Sequence, residues 1–312
     1  MPRRPIDIPV PDLTGRRALV TGGSDGIGLA LATRLAGAGA EVLLPVRDRR
    51  KGEAAVARIR GRHPAARIAL HDLDLASLDS VAALAARLAE EGAPLHLLVA
   101  NAGLMTPPER RTTADGFELQ LGTNHLGHFA LVGRVLPLLR AGGARVVSQV
   151  SIAAAQNAVR WDDLQWERRY HAMRAYSSSK IALGLVGLEL QRRSAAGGWG
   201  ITSDLAHPGV APTSLLAART ATGRTRDGLD VRVIRLLSRR GILVGTPETA
   251  ALPALLAATT DGDGGRMFGP SGPGHLGGAP AQTAPFSRVA DPDAARRIWA
   301  VSEELTGVRF PA

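Results

Sequence analysis

The sequence predicts an α/β fold: one doubly wound parallel sheet of about seven strands, flanked by helices on both faces, with a C-terminal extension. Three observations predict it. Short apolar runs alternate with longer amphipathic segments through most of the chain, the signature of repeated strand–helix–strand units. The apolar runs are continuous rather than alternating, as expected of strands buried on both faces. A glycine-rich turn follows the first run and opens the first helix.

The elements follow in order. Ala18–Val20 predicts a strand, and Ile27–Leu35 a helix ending near Gly37 and Gly39. Glu41–Val46 is a second strand, and residues 49–61 form a basic amphipathic helix stopped by Pro64. Arg67–Leu70 is a third strand, and residues 77–90 an Ala/Leu helix. Leu95–Val99 is a fourth strand, residues 117–139 one long helix, and Ala144–Ser148 a fifth strand. A further long helix spans residues 175–196, before a sixth strand, Ile201–Leu205. Residues 213–245 mix apolar residues with arginine and read as helical pieces joined by loops. Residues 248–258 read as a helix and Met267–Phe268 as a short last strand. The Gly- and Pro-rich stretch 269–287 reads as loop. Residues 292–305 form a closing helix capped by Asp291. The expected organisation is one domain over 1–312, with its core in 12–268 and a loop plus helix in 269–312.

Composition narrows the function classes. Of 312 residues, 45% are hydrophobic and 4% aromatic, so Leu, Val, Ile and Ala must fill the core. The net charge is +10, carried almost wholly by arginine; Lys51 and Lys180 are the lysines. The arginines are scattered, with a denser group at Arg219, Arg224, Arg226, Arg232, Arg235, Arg239 and Arg240, and no nucleic-acid motif accompanies them. No nucleic-acid partner is expected. With no cysteine, disulfides, thiolate catalysis and cysteine-ligated metals are excluded. Residues Met1–Leu13 contain no apolar signal core, and no run of roughly 18 apolar residues predicts a membrane span. A cytoplasmic protein with no membrane partner is expected.

Four groups of residues carry chemistry. Gly22, Gly26 and Gly28, with Ser24, Asp25 and Ile27 between them, form a turn between strand and helix. Its glycines permit close backbone approach, and the helix start offers free amides to a phosphate. Asp25 is read as a helix cap facing away from that phosphate. Asn101-Ala102-Gly103 closes the fourth strand, and Asn124 lies in Gly122–Phe129. Ser151 follows the fifth strand; Ser148 competes with it but falls within the strand. Tyr176 and Lys180 are four residues apart and share a helix face.

In this order the motifs resemble the short-chain dehydrogenase/reductase family, over about Leu13 to Phe268. Ser151 precedes Tyr176 by 25 residues, a spacing that resembles the long form of the family's retinol-dehydrogenase-like branch and of bacterial ketoreductases on aromatic polyketides (daunorubicin C-13-type). The resemblance implies a Rossmann-like fold and hydride transfer between a nicotinamide cofactor and a carbonyl or alcohol. It implies Tyr176 as general acid, Ser151 polarising the carbonyl, and Asn124 holding a relay water. Lys180 would lower the Tyr176 pKa and bond the nicotinamide ribose. A unit charge at about 5 Å in an effective dielectric near 20 is worth roughly 3 kcal/mol, about two pKa units. Asp74 with Leu75 would contact adenine, and Pro208, Gly209, Val210 and Thr213 would bound the nicotinamide.

The cofactor choice rests on Val46 and Arg47. An acid at the second strand end would hold a ribose 2′-hydroxyl; a neutral residue followed by arginine suits a 2′-phosphate. NADP(H) is therefore expected. Arg49, Arg50 and Lys51 could assist Arg47, but read rather as the solvated start of a helix. His125 and His128 lack a third ligand, so no metal is expected; His207 reads as structural. Trp161, Trp166 and Tyr170 either wall a substrate pocket or pack the insertion onto the body. The expected activity is NADPH-dependent reduction of a sizeable apolar or aromatic ketone or aldehyde. The alternative is an NADP(H)-binding sensor or interaction protein without turnover. A small-molecule substrate is expected, and the chain leaves open whether it forms a homo-oligomer.

Overall fold

The apolar runs form strands close to where they were expected: β1 (Arg17–Val20), β2 (Glu41–Val46), β3 (Ile68–Asp72), β4 (Leu97–Ala100), β5 (Arg145–Gln149), β6 (Thr202–Ala206) and β7 (Met267–Pro270). An eighth, β8 (Pro280–Thr283), lies in the stretch expected to be loop. The structure is a computed structural model and describes residues 6–212, 238 and 244–311. All eight strands join one sheet in the order β3-β2-β1-β4-β5-β6-β7-β8. The first seven are parallel and β8 pairs antiparallel with β7, Met267 opposite Thr283. Sequence patterning missed β8 because a short edge strand exposes one side. Pro280 and Ala281 give it no continuous apolar run.

Strand alternation sends successive side chains to opposite faces, and each face has its own core. Leu19, Leu98, Val146 and Leu205 pack under α3 (Leu78–Glu91), α5 (Gly127–Arg134) and α7 (Ala172–Gly197). Val20, Val42, Val99 and Val147 pack under α1 (Gly26–Gly37), α2 (Arg49–Arg62) and α8 (Pro247–Thr259). The expected closing helix, α9 (Pro292–Thr306), is capped by Asp291, which accepts from the Asp293 and Ala294 amides. Its Trp299 is fully buried. The Trp299 ring centroid lies 5.2 Å from that of Phe129 and 4.6 Å from that of Phe310.

The one long helix expected over 117–139 is instead broken twice. A short α4 (Leu119–Leu121) runs into a π-helical turn, Gly122–Leu126, before α5 begins. The wider turn widens the helix at Asn124. The second break is at Val135, just before α6 (Leu136–Ala141), where Pro137 cannot donate a helix hydrogen bond. No helix among the described residues is long and apolar enough to cross a membrane.

Candidate active site

The carboxyl ends of the parallel strands meet at the edge where β1 neighbours β4, where the strand order reverses. Doubly wound sheets bind ligands at such a point. The glycine turn sits there with its backbone pressed against the end of β4. A Cβ on Gly22 would stand 2.9 Å from Ala102 Cα, and one on Gly28 only 2.2 Å from Gly22 O. Gly22 also adopts φ +67°, open to glycine at little cost. Asn101 Nδ2 donates to Thr21 O at 2.9 Å, tying strand end to turn. Asp25 Oδ1 accepts from Gly26 N at 2.7 Å, the expected cap.

A groove follows these strand ends. Its inner end is lined by Gly22, Ser24, Gly26, Ile27 and Gly28, by Asn101, Ala102 and Gly103, and by Tyr176, Lys180 and Pro208. Its outer end is lined by Val46, Arg47, Asp48, Lys51, Asp74 and Leu75. Gly22, Ser24, Asp25, Ala102 and Gly103 belong to both, so the groove is continuous. The expected cofactor residues are thus brought together, with three exceptions. Gly209 is absent from the groove wall and lies close against Leu276 and Pro270. Val210 is absent from the groove wall; its amide is held by Leu276 O at 2.8 Å. Thr213 lies outside the described residues, as do Arg219 through Arg235 and Arg239 and Arg240. Asp74 lines the groove while its Oδ1 accepts from Ala76 N at 3.0 Å, a turn cap before α3.

The residues fit a dinucleotide. Bare glycine backbone lines the middle of the groove, where side chains would block close approach. The outer end carries the exposed Arg47, which makes no ion pair among the described residues, and Lys51. Of the three basic residues that open α2, Lys51 is the one in the groove wall. Arg49 is instead drawn to Glu53 (3.6 Å) and Asp72 (3.5 Å).

At the inner end stand Ser151, Tyr176 and Lys180. Ser151 precedes a 3-10 turn, Ile152–Ala155, and its hydroxyl accepts from Ala153 N at 3.2 Å. Ser151 also hydrogen-bonds the Tyr176 phenol. Ser148, the competitor, is buried in β5 against Gly187 of α7. Lys180 is 3% exposed, and its Nζ donates to Gln149 O at 2.9 Å. Burial lowers the Lys180 pKa to about 8. Burial also raises the Tyr176 phenol above its ordinary value, and the Ser151 hydrogen bond opposes that rise. The expected lowering by Lys180 is not what sets the phenol: the ammonium is engaged by Gln149 O, desolvation penalises the phenolate, and Ser151 is what opposes the rise.

Asn124 is fully buried on the π turn. Its Oδ1 accepts from Leu104 N (2.9 Å), and its Nδ2 donates to Leu104 O and Ser179 Oγ (both 3.0 Å). Two further residues escaped sequence reasoning. Thr21 Oγ1 accepts from the amides of Asn101 (2.9 Å) and Ala102 (3.0 Å) and sits 2.9 Å from His128 Nε2. His128 Nδ1 lies 3.0 Å from Asn124 O, a carbonyl, so that nitrogen carries the proton. The available signal was spacing: His128 falls one helical turn after Asn124. His125 instead faces Ser302 of α9, Nε2 to Oγ 2.7 Å. Among the described residues no cluster could hold a metal ion.

The aromatic residues of the insertion pack it onto the body. Trp166 is 2% exposed with Arg160 over its ring, and Arg297 of α9 lies over Trp161 at 4.3 Å. The Tyr170 hydroxyl donates to Pro107 O at 3.2 Å and accepts from Gln120 Nε2 at 3.1 Å.

Residues 16–223 match the model of the short chain dehydrogenase family. The chain is 37% identical over 302 residues to human (Homo sapiens) retinol dehydrogenase 13, covering 96% of this chain and 87% of that protein. It is 38% identical over 306 residues to polyprenol dehydrogenase of Mus musculus, covering 96% and 86%. A solved structure of an uncharacterized protein from Mycobacterium Paratuberculosis matches with TM-score 0.77 and 33% identity, over 97% of each chain. The Pseudomonas aeruginosa RhlG/NADP complex matches with TM-score 0.63 and 27% identity, over 84% and 96%. The chain belongs to the short-chain dehydrogenase family. It is an oxidoreductase of the class that interconverts alcohols and carbonyls and binds a nicotinamide cofactor.

His125 on the π turn and His128 in the first turn of α5 give this site a pH signature. Burial lowers His125 to about 3 and His128 to about 4, from an ordinary 6.5. Between those values the unfolded chain binds protons that the folded chain refuses. Stability therefore falls as pH drops below 6.5, by up to about 1.4 kcal/mol per pH unit for each ring. Urea unfolding between pH 7 and 4 should show this slope, and His128→Gln should flatten it. An unchanged slope in the variant would contradict the assignment.

Proposed function

We propose that the chain is an NADP(H)-dependent reductase, folded as a single domain, acting on a carbonyl of a sizeable apolar or aromatic substrate. Tyr176 serves as its general acid. The observation that carries this reading is the meeting of Ser151, Tyr176 and Lys180 at the inner end of a groove built on the glycine turn. The bound dinucleotide supplies the hydride; the protein's part is to position the carbonyl and to provide a proton. Ser151 and Tyr176 share a hydrogen bond, so both hydroxyls can address one oxygen. Burial keeps the Tyr176 phenol protonated near neutrality, the form required for donating to a developing alkoxide. Lys180 beside it stabilises the negative charge left on the phenol after donation.

Arg47 and Lys51 at the outer end support NADP(H) over NAD(H), because a 2′-phosphate offers them a charge-assisted contact. The similarity to a retinol and a polyprenol dehydrogenase supports an apolar alcohol or aldehyde as reaction partner.

Tyr176→Phe should lower turnover by about 10²–10⁴-fold in a carbonyl-reduction screen, while NADPH affinity by calorimetry stays unchanged. Retained turnover would remove Tyr176 from the reaction. Arg47→Ala should weaken NADPH binding by about 1.5–3 kcal/mol and leave NADH binding as it was. Equal binding of both cofactors by the wild type would contradict the 2′-phosphate reading.

A further inference from the structure

The last residue of β5 has a side chain that the fold does not explain. Gln149 is 4% exposed, and neither its amide nitrogen nor its amide oxygen has a hydrogen-bond partner. Its backbone carbonyl is engaged: Gln149 O accepts from Lys180 Nζ at 2.9 Å. The residue lines the inner end of the groove beside Tyr176, Lys180 and Pro208.

Strand alternation places its side chain on the same face as Val147, toward α1 and α8, and opposite Ser148. The neighbouring strands carry apolar residues on that face, Val99 of β4 and Ala206 of β6. An apolar side chain of similar volume would fill this position without an unsatisfied donor and acceptor, each of which costs stability when buried. A buried, unpartnered amide at the wall of a ligand groove is explained if the ligand satisfies it. Glutamine has three side-chain torsions, and rotation about them turns the amide from the floor of the groove into its lumen.

We propose that Gln149 is a positioning residue for the nicotinamide half of the cofactor. Its amide donates to and accepts from the polar groups of that half, while its carbonyl holds Lys180. The inference rests on the cofactor reading above and extends it to a residue that takes no part in proton transfer. Because the amide lies at the inner end, its effect is confined to ligands that reach past the glycine turn.

The test uses Gln149→Met, which keeps the volume and removes the amide, with Gln149→Leu as a second variant. NADPH and adenosine 2′,5′-bisphosphate are titrated into each by calorimetry, and melting is followed without nucleotide. The bisphosphate carries the adenosine half alone. The expected result is at least about a tenfold loss of NADPH affinity, with bisphosphate affinity unchanged and melting temperature equal to or above wild type. NADPH affinity retained within about twofold, or equal losses for both ligands, would overturn the proposal. Lower melting temperatures in both variants would likewise overturn it, by assigning the amide a structural role. A wild type that binds no NADPH would overturn the cofactor reading itself, and this inference with it.

Discussion

The site depends on one hydroxyl, that of Thr21. At the end of β1 it accepts two backbone amides from the end of β4 and meets the imidazole of His128. Through His128 it reaches Asn124 O, and Asn124 in turn clamps the backbone of Leu104 and the hydroxyl of Ser179. Ser179 closes the chain by donating to Tyr176 O at 2.8 Å. The glycine turn, the end of β4, the π turn and the helix bearing the reactive phenol are thereby one hydrogen-bonded unit. Its members Thr21, Asn124, His128 and Ser179 are buried. In a low-dielectric interior each unsatisfied group is costly, so such a network admits few arrangements.

This unit accounts for the local departures from regular structure. A plain α-helix through residues 119–134 would carry Asn124 and His128 in a uniform register. The π turn adds a residue per turn at that point and directs both toward the strand ends. The same burial sets the protonation states. Desolvation keeps His128 neutral, so that it accepts from Thr21, and holds the Tyr176 phenol protonated. Desolvation also lowers Lys180 to about 8, close enough to neutrality for its charge to respond to its surroundings.

Much of this was legible in the sequence because it depends on short-range chemistry. The continuous apolar runs gave seven strands, since parallel strands buried on both faces leave no polar alternation. The glycine turn, Asn101, Ser151, Tyr176 and Lys180 could be placed because each sits at a strand end or on one helix face. What escaped depends on tertiary contact. The register change at Asn124 comes from packing, and helix periodicity continues through it. β8 is held by β7 alone and carries no apolar signature of its own. Lowering of the Tyr176 pKa was expected from one nearby charge, but the sequence does not show how deeply the phenol is buried. Packing of Trp161 against Arg297 likewise depends on where α9 returns to the body.

The most direct test of the central claim is a double-mutant cycle between Thr21→Val and His128→Phe, read in unfolding free energy and in NADPH affinity. If the two residues act within one unit, the cycle should show a coupling of about 0.5–3 kcal/mol in stability, with a matching non-additivity in cofactor binding. Effects that add within about 0.3–0.5 kcal/mol would mean that the turn and the helix are held separately, and would contradict the account.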